Sequence, residues 1–153
     1  MTKQEIVNQL TEQLRQQFAT MSDAAKAAHE ASTGEAAKAE GKYDTRGLEA
    51  SYLADAQAEQ SQKLGRSLRI FESLTLDDLP AGSSVDPGAL VETELDGDIS
   101  YFLLTPCAGG INIPYEGSDL TTVSPESPLY QNLLDCDIGD ILDSPELMIL
   151  DIL

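Results

Sequence analysis

The sequence predicts an α+β chain in which an N-terminal antiparallel helical hairpin, a coiled coil, precedes a small β-rich unit with one short helix. Three observations predict it. Apolar residues recur at three- and four-residue spacing through most of the first half. The second half breaks into short apolar and β-branched runs separated by Gly, Pro and Asp. The charge divides at the same place. Residues 1–79 hold all nine Lys and Arg and thirteen Asp and Glu, a net −4. Residues 80–153 hold fourteen Asp and Glu with no basic residue, a net −14, which completes the chain's −18. The junction TLDDLPAGSSVDPG, residues 75–88, has the composition of a linker. The expected units are therefore 1–79 and 80–153.

The first helix opens at Thr2-Lys3-Gln4-Glu5, a capping box with Thr as N-cap and Glu at N3. Val7, Leu10, Leu14, Phe18, Met21, Ala24 and Ala28 then line one helix face. The pattern fades at Ser32-Thr33-Gly34. It resumes with Leu48, Tyr52, Leu53, Ala56, Leu64, Leu68 and Phe71. Each stripe needs a partner, and the simplest partner is the other helix folded back. Helices of about 29 residues would be roughly 45 Å long at 1.5 Å per residue. Thirteen of the forty residues 19–58 are Ala, so the outer half is packed by small side chains. Such a slim rod suits insertion into a partner, or equally a dimerisation contact. Its far end, about residues 33–46, carries mixed charges, with Glu35, Glu40 and Asp44 among them and Glu49 just beyond. Asp44 or Thr45 can cap the second helix. His29 has no Cys or second His nearby, which argues against zinc.

In the second half, Leu90–Leu95 and Ile99–Leu104 flank Asp96-Gly97, a two-residue hairpin turn signal. Ile111–Ile113 and Leu120–Val123 are further strands. Ser127-Pro128 reads as an N-cap and N1 pair, opening a helix through Leu134 with Leu129, Leu133 and Leu134 inward. Ile138–Leu142 and Leu147–Ile152 supply the last strands. A unit of this size has a thin core, so its stability is expected to draw on the base of the hairpin.

Composition also excludes functions. A net charge of −18 opposes direct DNA or RNA binding and favours a partner with a positive cleft. No apolar run approaches the ~20 residues of a membrane span, and the polar start MTKQEIVNQL has no signal-peptide core. Cys107 and Cys136 match no metal spacing, and reduced thiols in the cytoplasm are expected. Neither cysteine has a His nearby in sequence, and an acidic surround raises a thiol's pKa, so neither reads as a nucleophile.

These residues carry a resemblance. Thr121-Thr122-Val123-Ser124-Pro125-Glu126-Ser127-Pro128-Leu129, continuing through Leu133-Leu134 to Ile138-Gly139-Asp140, resembles the bacterial Gre-type transcription elongation factors. There a strand leads to Ser-Pro, a short helix with a Leu pair, and a Gly-Asp turn into the next strand. With the N-terminal hairpin, the likeness covers nearly the whole chain in architecture and implies an FKBP-like C-terminal domain. It implies that the C-terminal domain binds RNA polymerase, with Ser127, Pro128, Leu129, Gly139 and Asp140 as the docking motif. It also implies that the hairpin enters the secondary channel, bringing tip residues Glu40, Lys42, Tyr43, Asp44, Arg46 and Glu49 near the polymerase active site.

Cleavage-active members carry an Asp and a Glu three apart at the tip, which help hold a second Mg²⁺. Here Asp44 fits the first position, but Gly47 stands where the Glu belongs. Glu49 comes two residues late, and Arg46 adds an unfavourable charge. The expectation is a monomeric polymerase regulator with no cofactor of its own and no active site. At most it shares Mg²⁺ through Asp44, and transcript cleavage is weak or absent. The alternative is a hairpin-mediated interaction or dimerisation module with no polymerase role. A peptidyl-prolyl isomerase would need an aromatic-walled pocket, and the second half offers only Tyr101, Phe102, Tyr115 and Tyr130.

Overall fold

The computed structural model describes residues 1–33 and 46–153; side chains are described for 1–27, 30 and 55–153. Helix α1 spans Lys3–Thr33 and α2 spans Arg46–Glu72. The remaining elements are strands β1 (Leu90–Leu95), β2 (Asp98–Leu104), β3 (Asn112–Tyr115) and β4 (Ser118–Val123), helix α3 (Pro128–Leu133), and strands β5 (Ile141–Asp143) and β6 (Glu146–Ile152). The expected α+β class is what folds: two long helices, then one mixed sheet with a short helix.

The chain forms two compact units, Thr11–Ser73 and Met1–Leu10 with Leu74–Leu153. The division differs from the charge boundary at residue 79, because the first turns of α1 belong with the sheet. Burial explains this. Lys3 is 4% exposed, and its Nζ donates to the carbonyls of Asp77 at 2.9 Å and Gly88 at 2.8 Å. The Met1 ammonium lies 3.9 Å from Glu116 Oε1, beyond β3. The capping box forms reciprocally: Glu5 N donates to Thr2 Oγ1 at 3.2 Å, and Thr2 N donates to Glu5 Oε2 at 2.6 Å. Hydrogen bonding of the Glu5 carboxylate by Thr2, through its backbone N–H first and its hydroxyl second, holds the Glu5 pKa below its usual value.

In the helical unit the pairings run in opposite directions. Thr11 Oγ1 bonds to the Phe71 carbonyl, Arg15 to Glu72, and Ser22 Oγ to Ser61 Oγ at 2.8 Å. Phe18 packs at Gly65, where an added Cβ would meet its ring at 3.0 Å. From Thr11–Phe71 through Phe18–Gly65 to Ser22–Ser61 one partner advances as the other retreats, so the helices are antiparallel. Leu14, Leu68 and Phe71 are buried. Further along, Phe18, Met21, Ser22, Ser61 and Leu64 are only half-buried, because a single partner helix covers just one side of each stripe.

The sheet order is β3-β4-β2-β1-β6-β5. β2 and β4 pair in parallel, and all other neighbours are antiparallel. Asp96 and Gly97, at φ 52° and 86°, make the expected turn between β1 and β2. Glu116 and Gly117, at φ 49° and 78°, make a second one between β3 and β4.

One sheet face packs against α3: Val91, Leu104, Val123, Ile149 and Ile152 share a core with Tyr130 and Leu133. The opposite face buries Leu90, Leu103, Leu120 and Ile113, which the register places side by side. Within this unit Ile6, Val7 and Leu10 are also buried, the apolar stripe of the first turns of α1. Tyr101 and Tyr115 meet edge to face there, with ring centroids 4.7 Å apart. The apolar C-terminal run is β6, inserted between β1 and β5, so both its edges are paired.

Candidate partner-binding site

The two groups of residues singled out from the sequence fare differently. Of the tip, Glu40, Lys42, Tyr43 and Asp44 lie outside the described residues. Arg46 and Glu49 fall in the first turn of α2, and their side chains are also outside the described set. The segment from Ser127 to Asp140 is fully described, and its elements follow the expected order: β4, then Ser-Pro, then α3, then a Gly-Asp turn into β5.

Ser127 occupies the N-cap position with extended backbone, φ −81° and ψ 133°, but its side chain makes no capping bond. Its backbone instead closes a turn, Ser127 N donating to the Ser124 carbonyl at 2.9 Å. Pro128 at the first helical position is exposed and contributes its preset φ. Leu129 and Leu134 are half-buried against the core. Tyr130, rather than Leu129, joins Leu133 as the buried pair of the helix. A six-residue helix turns less than two full turns, so its inward face is narrow enough for one side chain per turn.

Gly139 and Asp140 lie in the turn, not in a strand: β5 begins at Ile141, later than the apolar run from Ile138 suggests. Gly139 has φ 92°, a conformation that favours Gly. Its N–H donates to the Ile149 carbonyl at 2.7 Å, and Ile149 N donates back to the Asp140 carbonyl at 2.9 Å. Asp140 Oδ2 accepts from Asp137 N at 2.7 Å, and Asp137 accepts from Ser84 Oγ. Asp140 thus closes its own turn and locks it to β6. The consequence is local display: Ile138 and Ile141, either side of this pair, are 52% and 61% exposed. The apolar run predicts one strand over Ile138–Leu142, because such runs signal a strand without saying where it begins or which strand is last in the sheet.

Electrostatics around the motif are one-sided. Cys136 Sγ contacts the Asn132 carbonyl at 3.2 Å. Its thiol pKa is pushed up by burial first and then by Asp140, Asp137 and Asp135. A thiol so placed is a poor nucleophile. Among the described residues, no group of three or more His, Cys, Asp or Glu could hold a metal ion. None of the described helices is long and apolar enough to cross a membrane. The segment therefore presents exposed aliphatic side chains, Ile138 and Ile141, beside the carboxylates Asp135, Asp137 and Asp140.

No family model and no curated protein matches the chain. Among solved structures, it is similar to GreA factor homolog 1 (Gfh1) of Thermus thermophilus, at 22% identity over 98% of this chain and 94% of that one, with a TM-score of 0.37. It is also similar to Gfh1 of Thermus aquaticus, at 21% identity over 99% and 96%, TM-score 0.36. A third similar structure, of the transcription factor Gfh1, gives 24% identity over 93% and 92%, TM-score 0.36.

Proposed function

We propose that this chain is a Gre-like regulator of RNA polymerase, docking through its acidic sheet unit and inserting its helical hairpin into the secondary channel to modulate elongation. One observation carries the reading. The segment whose sequence resembles the Gre pattern folds as that pattern requires, β4–Ser-Pro–α3–Gly-Asp–β5, in a chain whose first two helices pair antiparallel. On this reading the protein is not an enzyme, works as a monomer in the cytoplasm, and makes no direct contact with DNA. Asp44 is the tip carboxylate of most consequence. Mg²⁺ takes one or two carboxylates with waters and phosphate oxygens, so a single Asp44 would join an ion held mainly by the polymerase.

The test is titration of the labelled full chain with RNA polymerase, paired with elongation rates on a defined template. Saturable binding with altered elongation is expected. A chain that neither binds polymerase nor changes elongation overturns the proposal, and the dimerisation reading would then be checked by sedimentation.

A further inference from the structure

The sheet face that buries Leu90, Leu103 and Leu120 at β1, β2 and β4 is open at its other end. There the register sets Glu94 of β1 beside Met148 of β6, and Met148 beside Ile141 of β5. Met148 is 37% exposed and Ile141 61%, and Leu95, at the end of β1, is 39% exposed. The three apolar side chains line a shallow recess of about 200 Å³ whose remaining walls are Glu94, Asp96 and Glu146. Ile141 is held out by the Gly139-Asp140 turn, which β6 clamps on both sides.

Exposed aliphatic groups in a carboxylate ring suit a narrow class of partner. A second copy of this face is opposed by charge, since residues 80–153 carry fourteen acidic groups and no basic one. Nucleic acid and anionic lipid are opposed for the same reason. A small-molecule ligand is opposed by size, since such pockets run to roughly 300–1,000 Å³ and enclose their ligand. What remains is a cationic protein surface that places an aliphatic side chain in the recess and Lys or Arg against the acidic walls.

We infer that the Leu95–Ile141–Met148 recess is a docking face for such a cationic, aliphatic-bearing surface, and that the surface belongs to RNA polymerase. The inference rests on the function proposed above and adds a specific face to it. The Gly139-Asp140 turn acts as a positioning element for Ile141, and the recess makes the contact.

The experiment is fluorescence anisotropy of the labelled full chain with RNA polymerase at about 0.1 M salt, where the Debye length is about 10 Å. Four proteins are compared: wild type, Ile141→Ser with Met148→Ser, Glu94→Lys, and Asp119→Lys. Asp119 is exposed on β4, away from the recess, and its substitution makes the same charge change. The first two variants are expected to weaken binding about tenfold or more, and Asp119→Lys far less. Thermal melts confirm folding. In parallel, the Ile141 and Met148 methyl resonances of wild type should shift or broaden on adding polymerase, which does not depend on any variant. If wild type binds and the recess variants bind equally with unmoved methyl signals, the face is wrong while the polymerase reading stands. If wild type does not bind, the polymerase reading fails, and the face assignment fails with it.

Discussion

The Lys3 ammonium donates to the Gly88 carbonyl at 2.8 Å, joining the first residue of α1 to the loop just before β1. The same Nζ reaches the Asp77 carbonyl, so one buried cation ties down both ends of the 77–88 segment. Burial lowers the Lys3 pKa from its usual 10.5, with Asp78 and Asp77 opposing that shift. The charged form therefore carries a desolvation cost. That cost is present below the folded pKa and is relieved as pH rises toward the unfolded value. Lys3→Ala should destabilise the protein by about 2 kcal/mol, through two orphaned carbonyls and the lost packing of the stem. Lys3→Met, which keeps the stem, should cost less. Urea denaturation of both variants checks the order, and equal stability of Lys3→Ala and wild type would refute it.

The Ser22–Ser61 contact tests the hairpin register directly. With Oγ atoms 2.8 Å apart, paired cysteines at these positions should reach disulfide geometry with little backbone movement. In a Cys107→Ser, Cys136→Ser background, Ser22→Cys with Ser61→Cys should cross-link within the chain under mild oxidant. Peptide mapping under non-reducing conditions reads the result. A control pair displaced by two residues on α2, Ser22→Cys with Lys63→Cys, should cross-link poorly.

Alkaline unfolding should follow the tyrosines. Burial raises the pKa of Tyr101, Tyr115 and Tyr130 above the usual 10, with nearby carboxylates adding to each shift: Glu92 and Glu116 at Tyr101, and Asp86 at Tyr130. A phenol with a raised folded pKa keeps its proton longer in the fold than in the unfolded chain. Its contribution is intact below pH 10 and is lost as pH rises from there through the folded pKa. Tyr130→Phe, which removes one such group from the core under α3, should shallow the loss of stability above pH 10. Denaturation midpoints across the alkaline range measure it.

Cys136 should alkylate slowly. Its thiol pKa, raised by burial and then by Asp140, Asp137 and Asp135, leaves little thiolate at pH 8, and Asp140→Asn, which removes one of those carboxylates, should speed labelling modestly. Iodoacetamide labelling of wild type should lag behind a free thiol of ordinary pKa by severalfold. Labelling faster than a free thiol would contradict the electrostatic reading of this turn.

At the hairpin tip, wild-type protein should stimulate little cleavage of backtracked RNA. Asp44→Asn should alter its effect on elongation, since Asn caps a helix about as well as Asp but gives up the carboxylate. Gly47→Glu should gain some cleavage. Gly47 is the second residue of α2, and a carboxylate in a first turn also suits the helix dipole. Robust wild-type cleavage untouched by Asp44→Asn would move the role to Glu40 or Glu49.

What the sequence determined by itself was the structure whose causes are local. The Thr2–Glu5 box, the helical stripes through Leu14 and Phe71, the Asp96-Gly97 turn and the Pro128 helix start each depend on residues within a few positions. Propensity and periodicity capture interactions of that range. The tertiary structure alone decided the long-range matters: β2 pairing in parallel with β4, β6 lying between β1 and β5, and Lys3 buried in the sheet unit. It also buried Tyr130 more fully than Leu129, which packs at the edge of the same core, and left Ile141 and Met148 exposed. An apolar residue in a strand signals that some surface should cover it. Which strands neighbour it, and whether the covering helix reaches that far, depend on the packing of the whole unit. The six residues of α3 pack against only part of the sheet, and the exposed residues at β5 and β6 follow from a topology that no local pattern encodes.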